Sequence, residues 1–428
     1  MLSLNLERTW IRVALFCGAM LLVGIYLTFG LFRFVTSVIA DPRNQVEVQF
    51  LESAAALFPN SAPLQARLAA KLLAAGSTET ESYEAYVDRA LAHANAAASL
   101  APHSYEAHVL RSAALEYKGD LDAAEAALRE AVRLSPNRVD LRWRLANLLI
   151  RKDRLTEALA EARYVADAEP RRLPEILNLV RQASDGSLEA LEAVTAATPP
   201  AQLALAAFLA LHEQDELAVA HFTRIDRRAL AGLPESGRLI DSLTQAGRYS
   251  AAAAMWAHLH GVAEMSGIRN GGFEDPLRQG FNQFDWKLGQ TKFADIGITS
   301  KQAHDGQRAL LVIFRGIDTT KLRDEIQQLV LVEPGKGYRL KAYVKTQDLM
   351  TTEGPRLVVL RADNGNTMAE SAPIAAGSSD WQEIAVEFTA PEILSAVRIG
   401  LQQMPKFSYS KPTIGVVLLD DFDLKRIN

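Results

Sequence analysis

Pro102, Pro136 and Pro170 recur at an interval of 34 residues, and Ala90, Ala124 and Ala158 keep the same interval, as do Ala97, Ala131 and Val165. Each proline closes a stretch of helical pattern, because it lacks the N–H that a continuing helix would use. The clearest unit runs from Tyr105 to Pro136. Leu110, Ala113, Ala114 and Tyr117 share one face of a first helix, Gly119-Asp120 turns the chain, and Leu121, Ala124, Leu128 and Ala131 share a face of a second. The alanines allow neighbouring helices to approach closely, and Leu128 fills the space between them. Val139 to Pro170 repeats the plan with Leu145, Ala146, Leu149, Ala158 and Ala162. One helical hairpin of this size cannot bury enough apolar surface to stand alone, so the units must stack.

A 34-residue period made of two helices resembles the tetratricopeptide repeat. The unit ending at Pro102 matches in its second helix only, with a lengthened loop expected around Gly76-Ser77-Thr78-Glu79. Further hairpins are expected at 173–182 with 187–197, 200–212 with 215–224, and 235–246 with 249–260. Pro199-Pro200 and Gly247 support the latter two. The solenoid is expected to span 46–262. The resemblance implies a concave groove that binds a protein or peptide and does no chemistry. His108, Arg111, Arg142, Trp143 and Asn147, on first helices, are the candidates to line it; the alternative is a solvated face with Trp143 packed between repeats.

Ahead of the repeats, Val13 to Phe32 is a run of 20 residues without charge, bounded by Arg12 and Arg33. As a helix it spans about 30 Å, the thickness of a bilayer's hydrocarbon core. Residues 1–45 are therefore expected to be a short cytoplasmic tip and a single-pass anchor, with the span at about 11–32. The run exceeds the usual 7–15 apolar residues of a cleaved leader, which is the competing explanation. Arg8 and Arg12 on one side and Arg33 and Arg43 on the other leave the orientation weakly specified.

Beyond about residue 263 alanine-rich helices give way to short strands broken by Gly, Asp and Pro, expected near 269–275, 284–288, 292–299, 307–315, 325–332, 338–346, 355–362, 381–389, 396–402 and 413–425. Leu340, Ala342 and Val344 alternate with Arg339, Lys341, Tyr343 and Lys345, as in a strand with one wet face. So many strands in one stretch imply an all-β jelly-roll sandwich over 263–428.

Asn270-Gly271-Gly272-Phe273-Glu274, Gly306-Gln307-Arg308-Ala309-Leu310, Trp381-Gln382-Glu383-Ile384 and Leu419-Asp420-Asp421-Phe422-Asp423-Leu424 follow one another in an order similar to galactose-binding-like jelly rolls of carbohydrate-binding modules. The resemblance implies glycan contact and a structural Ca²⁺ shared by Glu274 with Asp420 or Asp421, for which hard carboxylate oxygens are suited; otherwise these acids cap loops or pair with basic neighbours. Sugar binding needs aromatic platforms and polar groups. Trp286 and Tyr343 are the candidate platforms, and Arg339, Lys341, Arg398 and Gln402 the candidate hydrogen-bonding groups, while Trp381 is expected in the core.

Lys+Arg is 46 and Asp+Glu 51, for a formal net charge of -5, so the chain lacks the basic excess of a nucleic-acid binder. The lone Cys17 excludes an intramolecular disulfide and a cysteine-cluster metal site. No His-Glu-x-x-His, Gly-x-Ser-x-Gly or phosphate-binding glycine loop occurs. The expected protein is thus multidomain: a transmembrane helix, an all-α tetratricopeptide-like solenoid and an all-β jelly roll. The leading functional expectation is a non-enzymatic adaptor of the bacterial inner membrane, with its bulk periplasmic, acting in export or assembly of a surface polysaccharide. The alternatives are a purely structural assembly protein and an accessory or degenerate glycoside hydrolase.

Overall fold

The computed structural model describes residues 9–76, 83–263, 265, 267–278, 283–317, 320–404 and 411–427. They form two compact units, residues 1–196 and 197–428. The loop expected around 76–79 lies mostly outside the described residues.

In the first unit α1 (Thr9–Ala40) is the one described helix long and apolar enough to cross a membrane. It is followed by α2 (Val48–Leu57), α3 (Ala62–Gly76), α4 (Tyr83–Leu100), α5 (Tyr105–Lys118), α6 (Leu121–Leu134), α7 (Val139–Arg151), α8 (Leu155–Ala168), α9 (Leu173–Ala183) and α10 (Leu188–Val194). The expected local chemistry is visible in the α5–α6 hairpin. Ser104 caps α5 by accepting from the Ala107 N–H at 3.3 Å. Gly119 closes α5 in a left-handed conformation at φ 86°, where a side chain would be strained. Asp120 then caps α6 by accepting from the Ala123 N–H at 3.0 Å. Leu115, Ala124, Leu128, Ala131, Leu141, Leu145, Leu149 and Ala158 form one continuous core across the two repeats, which is how hairpins too small to stand alone become stable.

The helical pattern continues in the second unit with α11 (Pro199–Leu211), α12 (Asp215–Arg224), α13 (Arg227–Ala231), α14 (Pro234–Gln245) and α15 (Tyr249–His260). The short α13 is not visible in the repeat pattern. Two antiparallel five-stranded sheets follow: β1 (Lys287–Leu288), β2 (Ala294–Thr299), β3 (Ala309–Arg315), β4 (Leu322–Leu331), β5 (Gly337–Met350), β6 (Arg356–Arg361), β7 (Thr367–Glu370), β8 (Gly377–Thr389), β9 (Ala396–Gln403) and β10 (Ile414–Arg426). One sheet has the order β1-β4-β9-β6-β7 and the other β2-β3-β10-β5-β8. Their facing sides meet in a core that includes Leu310, Val312, Leu340, Ala342, Val344, Leu357, Val359, Val397, Ile399, Val417 and Leu419.

The segment expected as a strand at 269–275 is a turn. Asn270 and Phe273 have φ of 51° and 58°, which breaks extended structure. The turn is pinned on both sides: Gln328, itself buried, accepts from the Arg269 N–H and donates to the Arg269 carbonyl, each at 2.8 Å, and the Phe422 N–H donates to the Gly271 carbonyl at 3.0 Å. A Cβ on Gly271 would collide with the Phe422 carbonyl oxygen. Gly271→Ala is therefore expected to cost about 1–3 kcal/mol through forced displacement of the last strand, read as a lower sandwich melting temperature. Gly297→Ala, where a Cβ meets nothing within 4 Å, is the matched control.

Candidate functional site

The six residues expected to contact a glycan do not form one site. Trp286 is 1% exposed in the sandwich core; its ring lies 4.7 Å from Phe422 and 5.2 Å from Phe273, and its Nε1 donates to the Asn270 carbonyl at 3.1 Å. This corrects its reading as a platform: a tryptophan that supports a turn and one that supports a sugar have the same letter. Arg339, Lys341 and Tyr343 lie on the outer side of β5, because Leu340, Ala342 and Val344 take the core side. Arg398 and Gln402 lie on the outer side of β9, in the other sheet, because Val397, Ile399 and Leu401 face the core.

On the β5 side, Arg339 is paired with Glu383 at 2.7 Å, and the Lys341 ammonium stands 5.7 Å from the Tyr343 ring centroid. Tyr343 already carries a partner: His304 stacks on it with centroids 3.7 Å apart and an interplanar angle of 11°. Trp381 stands edge-on to His304 at 5.6 Å and is half-buried on the outer face, a correction to its expected core position. Strand parity carries that signal, since Ile384, Val386 and Phe388 take the inner side of β8 and an odd-numbered neighbour faces outward.

His304 belongs to a loop that the acidic residues hold in place. Asp420 Oδ2 accepts from the His304 N–H at 2.8 Å, Asp421 Oδ2 bonds His304 Nδ1 at 2.6 Å, and Glu274 Oε1 accepts from the N–H groups of Gln307 and Arg308 at 2.6 and 2.8 Å. Asp420 Oδ1 accepts from the Asp421 N–H at 2.8 Å. Burial pushes the Asp420 carboxyl above its ordinary value. Glu274, Asp420 and Asp421 are thus brought together, as the resemblance implied, and Glu274 Oε1, Asp420 Oδ2 and Asp421 Oδ2 hold the 304–308 loop. Among the described residues no three His, Cys, Asp or Glu side chains gather to hold one metal ion.

The β9 side is different. Arg398 lines a cavity of about 670 Å³ whose floor includes Leu329 and Leu360 and whose walls include Gln327, Asn364, Gln283 and, from α14, Thr244 and Gln245. Gln283 bridges to α14 by donating to Asp241 Oδ1 at 2.5 Å, while its own Oε1 is buried without a hydrogen bond. Trp256 of α15 meets Phe284 with centroids 6.0 Å apart, and the Arg278 guanidinium lies 5.7 Å from the Trp256 centroid. Burial pushes the Tyr249 phenol above its ordinary value, against the opposing pull of Arg398. Leu329, Val358 and Leu360 point away from the sandwich core yet are at most 7% exposed. The last helix pair therefore lies over this sheet and leaves a polar cavity beside it. Gln402 is outside the cavity and donates to the Arg323 carbonyl at 2.8 Å.

The solenoid candidates are also dispersed. His108 is 9% exposed and bonded to the Pro102 carbonyl at 3.0 Å, so it packs the hairpin and cannot line a groove. Arg142 is spent on Glu161 at 2.8 Å and lies 4.1 Å from the Tyr164 ring. Trp143 is half-buried beneath the Arg172 guanidinium, 4.7 Å from its centroid, and Asn147 donates to the Trp143 carbonyl at 2.8 Å. Arg111 alone of the five is exposed. A prominent polar feature that the repeat pattern did not reveal is the buried Glu125, which accepts from Arg129 at 2.7 Å and from Arg154 at 2.6 Å and also pairs with Lys152. Burial alone would raise its pKa; the hydrogen bonds from Lys152, Arg129 and Arg154 outweigh it and hold the carboxyl at about 2.

A carbohydrate-binding-domain family model matches residues 266–405, and a tetratricopeptide-repeat model matches residues 117–183. Among solved structures, a tetratricopeptide protein of Thermus thermophilus is similar over 35% of this chain and 75% of its own, at 22% identity and a TM-score of 0.29. A carbohydrate-binding module of family 4 is similar over 37% of this chain and 99% of its own, at 16% identity and a TM-score of 0.28. The xylan-binding CBM22-1 domain of Xyn10C from Paenibacillus barcinonensis is similar over 39% and 99%, at 20% identity and a TM-score of 0.25. No curated protein matches the chain.

Proposed function

We propose that this chain, which joins an apolar N-terminal helix and a tetratricopeptide segment to a sandwich of the carbohydrate-binding kind, is a non-enzymatic adaptor anchored in a bacterial inner membrane. Its solenoid holds a protein partner and its sandwich holds a glycan during export or assembly of a surface polysaccharide. The two binding modules on one tether raise the local concentration of each ligand for the other.

The observation that carries the glycan half is the cavity beside Arg398. Carboxamides from Gln245, Gln327 and Asn364, the carboxylates of Asp241, Asp285, Asp324 and Asp363 and the Arg398 guanidinium line it together with Leu329 and Leu360. That combination suits a pyranose, which offers hydroxyls at its rim and C–H groups on its face. In a glycan array probed with the full chain in detergent, binding is expected. Arg398→Ala is expected to weaken it about tenfold, the loss of one charge-assisted hydrogen bond, with an unchanged melting temperature. Undiminished binding by Arg398→Ala would remove the cavity from the account.

A second reading is favoured by the coverage of Leu329, Val358 and Leu360: the sandwich is a cap for the last helices and binds no sugar. A fully folded chain that retains nothing from the array would select it.

A further inference from the structure

The anchor helix does not end where the solenoid begins; the two run side by side. Ile39, near the end of α1, packs with Val46 and Val48 against the Leu51–Leu68–Leu72 core, and the Phe32 ring meets Phe58 edge-on with centroids 4.9 Å apart. Val48 at the start of α2 and Ile39 thus pack on the same core, while Phe58 just past the end of α2 stands level with Phe32. The helix descends antiparallel to α1, back toward the apolar run. Arg67 clamps the connecting segment by donating to the carbonyls of Pro42 and Asn44 at 3.1 and 3.0 Å.

The uncharged run ends at Phe32, with Arg33 next, so the hydrocarbon edge falls there if α1 spans a bilayer. The turn after α2 reaches that edge: Phe58 meets Phe32, and Asn60, Ser61 and Pro63 share a cavity of about 800 Å³ with α1 residues on both sides of it, from Ile25 and Phe29 to Thr36 and Ser37. The outward side of α2 is apolar where it descends: Leu57 is 75% exposed and Phe50 54%. They are seven residues apart, on one stripe of the helix. Single exposed apolar side chains occur elsewhere on this chain, Leu211 and Ile393 among them; what sets Leu57 and Phe50 apart is that their helix ends beside the apolar run of α1.

We infer that the α2–α3 turn is an interfacial element seated in the leaflet beside α1, with Leu57 at the hydrocarbon edge and Phe50 among the headgroups. The occupant of this surface is the lipid bilayer. Leu57 and Phe50 bury apolar area in it, the polar Asn60 and Ser61 remain within reach of interfacial water and headgroups, and Arg33 stands where lipid phosphates lie. The first hairpin is then fixed against the membrane by three contacts, the helix, the turn and the Arg67 clamp. The inference rests on the proposed anchor.

Cys17 is the sole cysteine, so a Cys17→Ser background allows nitroxide labels to be placed singly in the full chain. Leu57→Cys, Phe50→Cys and Tyr117→Cys, labelled and reconstituted in vesicles of phosphatidylethanolamine and phosphatidylglycerol, would be compared for collision with oxygen, which concentrates in lipid, and with a water-soluble nickel chelate. The oxygen-to-nickel ratio is expected to be several-fold higher at Leu57 than at Tyr117, with Phe50 between them. A chain that floats with the vesicles but shows equal ratios at Leu57 and Tyr117 overturns this inference and leaves the anchor standing. A chain that does not float, with its N-terminus cut after the apolar run, overturns both.

Discussion

Trp286→Ala is expected to lower the melting temperature of the sandwich by roughly 10 °C. Removing a fully buried tryptophan costs about 3–5 kcal/mol, and each kcal/mol shifts a domain of this size by about 2–4 °C. The indole stands between Phe273 and Phe422 and holds the Asn270 carbonyl, so its loss loosens the entry turn from the last strand as well as opening a cavity. Circular dichroism in the near-ultraviolet during heating would follow it. Tyr343→Ala, on the outer face, is the contrast: it gives up one stacking partner for His304 and is expected to cost about 1 kcal/mol. Equal effects from the two substitutions would contradict the core assignment.

Glu125→Ala is expected to be the most damaging single change in the solenoid, at about 3 kcal/mol. It leaves the largely covered Lys152 ammonium beside the partly exposed Arg154 and Arg129 guanidinium groups with no carboxylate between them. The pH dependence gives an independent reading. The Glu125 carboxyl is held at about 2 in the folded protein, below its ordinary 4.5. A depressed carboxylate stabilises the fold above the ordinary value and loses that contribution as pH falls toward the folded value. The stability gap between the parent and Glu125→Ala should therefore be full at pH 7 and narrow between about pH 4.5 and 2, as urea denaturation at each pH would measure. A gap that stays constant over that window would show that Glu125 acts by packing alone.

The sequence carries the architecture because its determinants are local or periodic. The 34-residue recurrence of Pro102, Pro136 and Pro170 places α5 to α8 within a residue or two. Alternation in β5 and β9 assigns inner and outer faces correctly. The losses have equally physical causes. The turn at 269–273 reads as a strand because its left-handed residues are set by tertiary bonds to Gln328 and Phe422, which no local pattern encodes. β7 is four residues long, too short for an alternation to register. Among site residues, Arg398 falls in a cavity, but the amides that accompany it come from α14, β4 and the turn after β6, and their meeting depends on how the helices lie on the sheet. His108 and Trp286 illustrate the converse: a polar or aromatic letter does not reveal whether it faces solvent or a neighbouring element.

The placement of β10 bears on how the molecule is made. Although last in the chain, it lies in the middle of its sheet, between β3 and β5, and its Phe422 receives the entry turn. The hairpins of the first unit need only their immediate neighbours and can settle one after another as they leave the ribosome. The sandwich cannot. Until residues near 426 have emerged, β3 and β5 face each other across a missing strand with two unpaired edges. The β-module must therefore wait in an incomplete state that the hairpins of the first unit do not pass through, and removing residues 414–426 should forfeit the whole of it.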